Sequence, residues 1–185
     1  MEEPLMRSVG SNTNGGPSDK KTISIAGLHH AAYRCQDSEK TRAFYEDFLG
    51  LPLSGALVIK ETKTGRKTEV LHTFFQMNDG SHIAFFEAPD TPFEFKTQHD
   101  FDLHIALEVD PAYMHQMLAK GQALGIETRG ISDHGFIDSV YFRDPNGYVV
   151  ELCAKKAGHD EQLARGNPDA RATLARWLQS KSDQA

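Results

Sequence analysis

The sequence predicts an α+β protein in which two tandem βαβββ modules are followed by a C-terminal helix. Two observations carry that reading. Apolar residues recur at spacing two along short segments and at helical spacing along longer ones, and the order strand, helix, three strands occurs twice. The opening strands of the two copies also align, His30-Ala31-Ala32-Tyr33 with His104-Ile105-Ala106-Leu107.

Residues 1–22 are rich in Gly, Ser, Asn and Lys without periodicity. They read as a flexible leader, because so little apolar surface cannot offset the entropy of ordering. The folded domain is expected over 23–155, with modules at 23–88 and 102–155. Ile23–Cys35 is the first strand. Asp37 or Ser38 caps a helix that runs to about Leu49, buries Ala43, Phe44, Phe48 and Leu49, and stops at Gly50 and Pro52. Strands at Leu53–Glu61, Glu69–Met77 and Ser81–Ala88 complete the module, the last two joined by the hairpin signal Asn78-Asp79-Gly80. After the polar link Pro89–Phe101 comes a strand at Leu103–Val109, then a helix at Pro111–Leu124 between Asp110 and Gly125. Ile126–Ile131, Ile137–Arg143 and Tyr148–Ala154 follow as strands, with the turn Asp144-Pro145-Asn146-Gly147 between the last pair. Residues 160–185 read as a further helix, capped by Asn167 and started by Pro168. Its stripe of Ala170, Leu174, Trp177 and Leu178 is expected to dock on the domain or on a sister subunit.

The 185 residues are 39% hydrophobic and 25% charged, an ordinary globular balance. Lys and Arg number 20 against 26 Asp and Glu, a formal net charge of −6, which argues against a phosphate-tracking nucleic-acid binder and against a polybasic membrane partner. Two cysteines, Cys35 and Cys153, cannot build a disulfide framework and fit a reducing, cytoplasmic compartment. No apolar run reaches the roughly 18 residues of a membrane span, and the opening MEEPLMRSVG lacks the apolar stretch of a secretory signal.

Strand parity decides which side chains can meet. On the first strand Ala31, Tyr33 and Cys35 face the helix, while His30, Ala32 and Arg34 face the other way. On its repeat Ile105, Leu107 and Val109 pack, and His104, Ala106 and Glu108 point away. On the last strand Val150 and Leu152 pack, and Val149, Glu151 and Cys153 point away. Taken singly, a strand histidine is more often a hydrogen-bonded core or rim residue, and Glu151 suits an ion pair with Arg34. Taken together, two imidazoles and a carboxylate at equivalent points of a repeat predict a metal ion held by His30, His104 and Glu151, since a buried unpaired carboxylate is costly. His29 has the opposite parity and reads as structural. His72, His99, His115 and His159 read as surface or structural residues.

These residues sit in longer motifs: LHHAAYRCQD from Leu28, TRAFYEDFLGLPL from Thr41, HIALEVD from His104 and YFRDPNGYVVE from Tyr141. Together, over about Ile23–Lys155, they resemble the vicinal oxygen chelate superfamily. That superfamily includes glyoxalase I, extradiol dioxygenases, methylmalonyl-CoA epimerase, and fosfomycin- and bleomycin-resistance proteins. The resemblance implies one cup-shaped mixed sheet with helices outside, closing around a divalent metal whose ligands are His30, His104 and Glu151. Internal alignment sets Ala84 opposite Glu151, where a glyoxalase-like or epimerase-like site carries a fourth ligand. Two histidines and one carboxylate with an open face resemble non-haem Fe(II) sites. The expectation is therefore a one-domain extradiol dioxygenase, cleaving a catechol-type aromatic such as 2,3-dihydroxybiphenyl with O2. In that reading His82 is the acid/base beside O2, and Tyr141 and His134 bind substrate oxygens. Fe(II) is the expected metal, with Mn, Co, Zn and Ni as alternatives, and a homodimer is the expected assembly. Phe74, Phe86 and Phe136 either wall the pocket or pack the core. The alternatives are a glyoxalase-like lyase, isomerase, epimerase or thiol transferase, which needs no oxygen, and a ligand-sequestering protein without a catalytic metal.

Overall fold

The computed structural model describes residues 24–166 and 168–182. The expected leader, Ile23 and the expected cap Asn167 lie outside them. The first module runs β1 (His30–Arg34), α1 (Ser38–Arg42), β2 (Leu53–Glu61), β3 (Lys67–Gln76) and β4 (His82–Glu87). The second runs β5 (His104–Glu108), α2 (Pro111–Ala123), β6 (Thr128–Asp133), β7 (Ile137–Arg143) and β8 (Val149–Lys155). Two helices follow, α3 (His159–Arg165) and α4 (Ala170–Ser182). The α+β class and both βαβββ modules are as the sequence predicts. The first strand is shorter than predicted, because residues 24–29 make no strand and leave Ile25 and Leu28 exposed.

The expected single sheet is instead two four-stranded mixed sheets, ordered β1-β4-β3-β2 and β5-β8-β7-β6. In each, the first strand pairs parallel with the last and the other pairs are antiparallel. No ladder joins the modules because they meet through their helix-bearing faces. One apolar cluster contains Phe75, Ile83 and Phe85 of the first sheet, Val140, Phe142, Val150 and Leu152 of the second, and Met114 and Met117 of α2. The Phe48 ring meets Phe142 edge-on at 5.2 Å. Gly121 allows this closeness on the α2 side, since a Cβ there would stand 2.6 Å from the Phe142 ring.

The α1 segment shows a local surprise. Asp37 caps it as expected, its carboxylate accepting from the N–H groups of Glu39 and Lys40. From Ala43 to Phe48 the chain then widens into a π-helical stretch, with the N–H of Leu49 reaching back to the carbonyl of Phe44 at 3.0 Å. Thr41, Phe44, Tyr45, Phe48 and Leu49 form the buried stripe, so Ala43 faces solvent, against expectation, and Tyr45 lies in the core at 0% exposure.

A buried polar cluster pins this helix to the β7–β8 turn. Asp144 accepts from the backbone N–H groups of Asn146 and Tyr148, from the Asn146 amide and from the Tyr45 hydroxyl. Asn146 in turn accepts from the N–H of Gln36 and donates to Thr41. Burial pushes the Asp144 carboxyl above the ordinary aspartate range and the Tyr148 phenol up to about 12. Gly147 has φ +91°, and a Cβ there would strike the Lys96 carbonyl, so glycine lets the long link between modules lie on this turn.

The C-terminal segment is two helices where one is predicted, and its stripe does not dock on the domain. It is broken between α3 and α4, with Gly158 and Gly166 at positive φ, and neither helix buries a residue. Leu174, Trp177 and Leu178 are 57–61% exposed, so the stripe finds no partner within the described chain. No described helix is long and apolar enough to cross a membrane.

Candidate functional site

Both sheets keep the predicted parity. His30, Ala32 and Arg34 share a face with His82, Ala84 and Phe86, their parallel partners on β4. His104, Ala106 and Glu108 share a face with Val149, Glu151 and Cys153 on β8. Each of these faces is the one turned away from the common core. The candidate residues therefore form two half-sites, one on each sheet, with the common core behind both.

The half-site of the second module is strongly pre-set. The Nδ1 of His104 lies 2.8 Å from the Asp100 carbonyl, which can only accept, so Nδ1 carries the proton. That leaves a lone pair on Nε2, which stands 3.4 Å from Oε2 of Glu151. Two acceptors facing one another at this distance are an arrangement that a shared cation would suit. The separation suits two ligands each about 2.1 Å from a common ion. Orientation of the imidazole by a carbonyl is the usual support of a metal-binding histidine.

Glu151 is 6% exposed and does not pair with Arg34, whose guanidinium donates to the carbonyls of Ala88 and Thr91. Its other oxygen, Oε1, accepts from Ser139 Oγ at 2.5 Å and from Tyr141 Oη at 3.3 Å. His134 reaches the same group, with Nε2 donating to Tyr141 Oη at 2.9 Å in the tautomer that lets the phenol donate onward. Burial, aided by the Glu151 charge, raises the Tyr141 phenol, so it remains a proton donor at neutral pH. Arg129 stacks on the Tyr141 ring at 4.4 Å and pairs with Asp100. Ser139 escaped the sequence reading. Its parity with Tyr141 and diagonal place beside Glu151 are the signals that would have found it.

The half-site of the first module is aromatic and lacks a carboxylate. His30 pairs in register with His82, and Phe74 lies 5.9 Å from the His30 ring and 6.0 Å from the His82 ring. His72 stacks on Phe86 at 3.7 Å. Its Nδ1 donates to the Phe85 carbonyl, which makes it a structural residue as expected. Phe74 and Phe86 thus lie on the site-bearing face, while Phe136 sits against His159 away from it. His29 contacts His30 through their Nδ1 atoms at 2.8 Å.

The expected convergence of His30, His104 and Glu151 does not occur within one chain. Among the described residues no three His, Cys, Asp or Glu side chains are grouped to hold one ion. The reason is the module packing: the shared core separates the two faces.

Residues 27–152 match the sequence family described as the Glyoxalase/Bleomycin resistance protein/Dioxygenase superfamily. A lactoylglutathione lyase of Neisseria meningitidis is 30% identical over 139 residues, covering 72% of this chain and 94% of that protein. Among solved structures, a glyoxalase/dioxygenase from Nostoc punctiforme has a TM-score of 0.55 at 24% identity, covering 80% of this chain and 99% of its own. The fosfomycin resistance protein FosX of Listeria monocytogenes, in a complex with Mn(II) and sulfate, has a TM-score of 0.52 at 24% identity, covering 74% and 98%. TnmS3, an antibiotic binding protein from Streptomyces sp. CB03234, has a TM-score of 0.54 at 18% identity, covering 73% and 100%. At these identities the structural likenesses speak for the fold alone.

Proposed function

The chain belongs to the glyoxalase/bleomycin resistance protein/dioxygenase superfamily, and from that premise we propose a metal-dependent lyase or isomerase whose site is completed by a second copy of the chain. The observation that carries the reading is the pair of facing acceptors, His104 Nε2 and Glu151 Oε2, 3.4 Å apart and each tethered through its other atom. His30 of a second copy supplies the third ligand, because the first module's face is otherwise unmatched. A divalent ion held by His104, Glu151 and that His30 would supply Lewis-acid polarisation of substrate oxygens, making the C–H beside them more acidic.

The chain's own residues do the rest. Tyr141 stands between His134 and Glu151 and offers its phenolic proton to a substrate oxygen, with His134 resupplying it. His82, beside His30, is the imidazole placed to take or return a proton from the opposite wall. Phe74 and Phe86 exclude water over the apolar part of the substrate. The similarity to a lactoylglutathione lyase names lactoylglutathione as the first compound to try.

One observation favours a second reading, the Fe(II)-dependent extradiol dioxygenase acting on catechols. Ala84 occupies the register place that Glu151 holds in the other module, so the set has three ligands and an open face. One experiment separates the two. Protein loaded with Mn(II), Ni(II), Zn(II) or Fe(II) is given lactoylglutathione under argon and, separately, a catechol panel in air. Conversion under argon supports the lyase. Oxygen uptake with ring cleavage, and no anaerobic turnover, overturns it in favour of the dioxygenase.

A further inference from the structure

We infer that Ser139 is a positioning residue that keeps Glu151 a one-oxygen ligand, so that coordination places remain for a substrate that chelates through two oxygens. The inference rests on the reading of His104 and Glu151 as metal ligands. Each carboxylate oxygen has about two acceptor directions. At Oε1 the lasting bond is from Ser139 Oγ at 2.5 Å, while the longer contact from Tyr141 Oη at 3.3 Å is the one released when that proton goes to substrate. Only Oε2 is left turned toward His104 Nε2. The Ser139 hydroxyl is 0% exposed, so no bulk water can replace it. A buried hydroxyl donating to a charged oxygen is among the stronger hydrogen bonds a protein makes.

The other module supplies an internal control. The register place of Ser139 is held there by His72, whose donor is spent on the Phe85 carbonyl. In that module the place of Glu151 is held by Ala84. The holding hydroxyl is present where there is a carboxylate to hold and absent where there is none. Without Ser139, Oε1 swings toward the ion, Glu151 binds through both oxygens, and a place needed by the substrate is filled.

The test uses Co(II) as probe in the full-length protein, with acetohydroxamate as a two-oxygen ligand. In Ser139→Ala the visible d–d absorption of bound Co(II) weakens as its coordination number rises. Affinity for acetohydroxamate falls roughly tenfold, the low end of what outer-shell losses cost, while Co(II) stays bound. Ser139→Thr restores both. The isosteric pair Ser139→Thr and Ser139→Val separates the hydroxyl from side-chain shape and decides the matter if Ser139→Ala fails to fold. Wild-type spectrum and acetohydroxamate affinity in the hydroxyl-free variants overturn the Ser139 inference and leave the ligand assignment standing. A wild-type protein that binds no Co(II) overturns the ligand assignment itself.

Discussion

Overlaying the registers of the two sheets sets His30 on His104 and Ala32 on Ala106, but Ala84 on Glu151, Phe74 on Tyr141 and His72 on Ser139. The conserved geometry is the backbone and one imidazole at the start of each module. The polar substitutions that distinguish the second face lie on β7 and β8. The three differences belong together. A carboxylate at position 84, which is 0% exposed, would lie beside Phe74 without the hydroxyl donors that Glu151 enjoys, and an unpaired buried charge is expensive. On the proposed reading, one module would hold an ion by two ligands, and the other would bring a third ligand and an apolar wall.

The largest effect expected from breaking that asymmetry is at Glu151. Glu151→Ala removes the only carboxylate of the set, and metal content by elemental analysis falls to background. The loss exceeds the roughly 10–100-fold typical of an outer-shell change. Next come the proton-handling groups. His82→Phe and Tyr141→Phe each lower turnover by roughly 10²–10⁴-fold with metal content unchanged, because general acid–base partners contribute about that much. Equal metal content and undiminished turnover in either variant would remove that residue from the chemistry.

A smaller effect is expected at the latch between the modules. Asp144→Asn keeps the size but sets an amide donor against the Asn146 amide, and costs about 1–3 kcal/mol in denaturant unfolding. Its pH dependence has a definite sign. Burial raises the Asp144 pKa in the folded protein. The stability contributed by its protonated form is full below the unfolded aspartate value and is lost as pH rises through the raised folded value. The stability gap between wild type and Asp144→Asn is therefore widest in acid and narrows upward. A gap that widens with pH would contradict the burial argument.

Much of this asymmetry was legible in the sequence, because strand parity is a local property. The alternation around His30, His104 and Glu151 assigned each to the face it occupies, and the place of Ala84 opposite Glu151 followed from the internal repeat. Tyr141 and His134, each expected to bind substrate oxygens, lie within hydrogen-bond reach of one another, a contact the sequence did not announce. Three things were not legible. The π-helical stretch left no mark on the pattern, because Thr41, Phe44, Tyr45, Phe48 and Leu49 keep the spacing of an ordinary α-helical stripe. The C-terminal stripe is amphipathic in sequence, but amphipathicity does not name the surface that covers it. The separation of the half-sites depends on long-range contacts such as Phe48 with Phe142 and Tyr45 with Asp144. No spacing rule within one module encodes them.

On the proposed reading that separation calls for a second copy, and a mixed dimer tests it most directly. One chain carries His30→Ala, the other Glu151→Ala, each with its own affinity tag, and the doubly tagged species is isolated. If ligands come from facing modules of different copies, one of its two sites has all three ligands intact. It then binds about one metal ion per dimer, against about two for wild type and none for either variant alone. A doubly tagged dimer that binds no metal, or a wild-type protein that holds its metal as a monomer, contradicts the account.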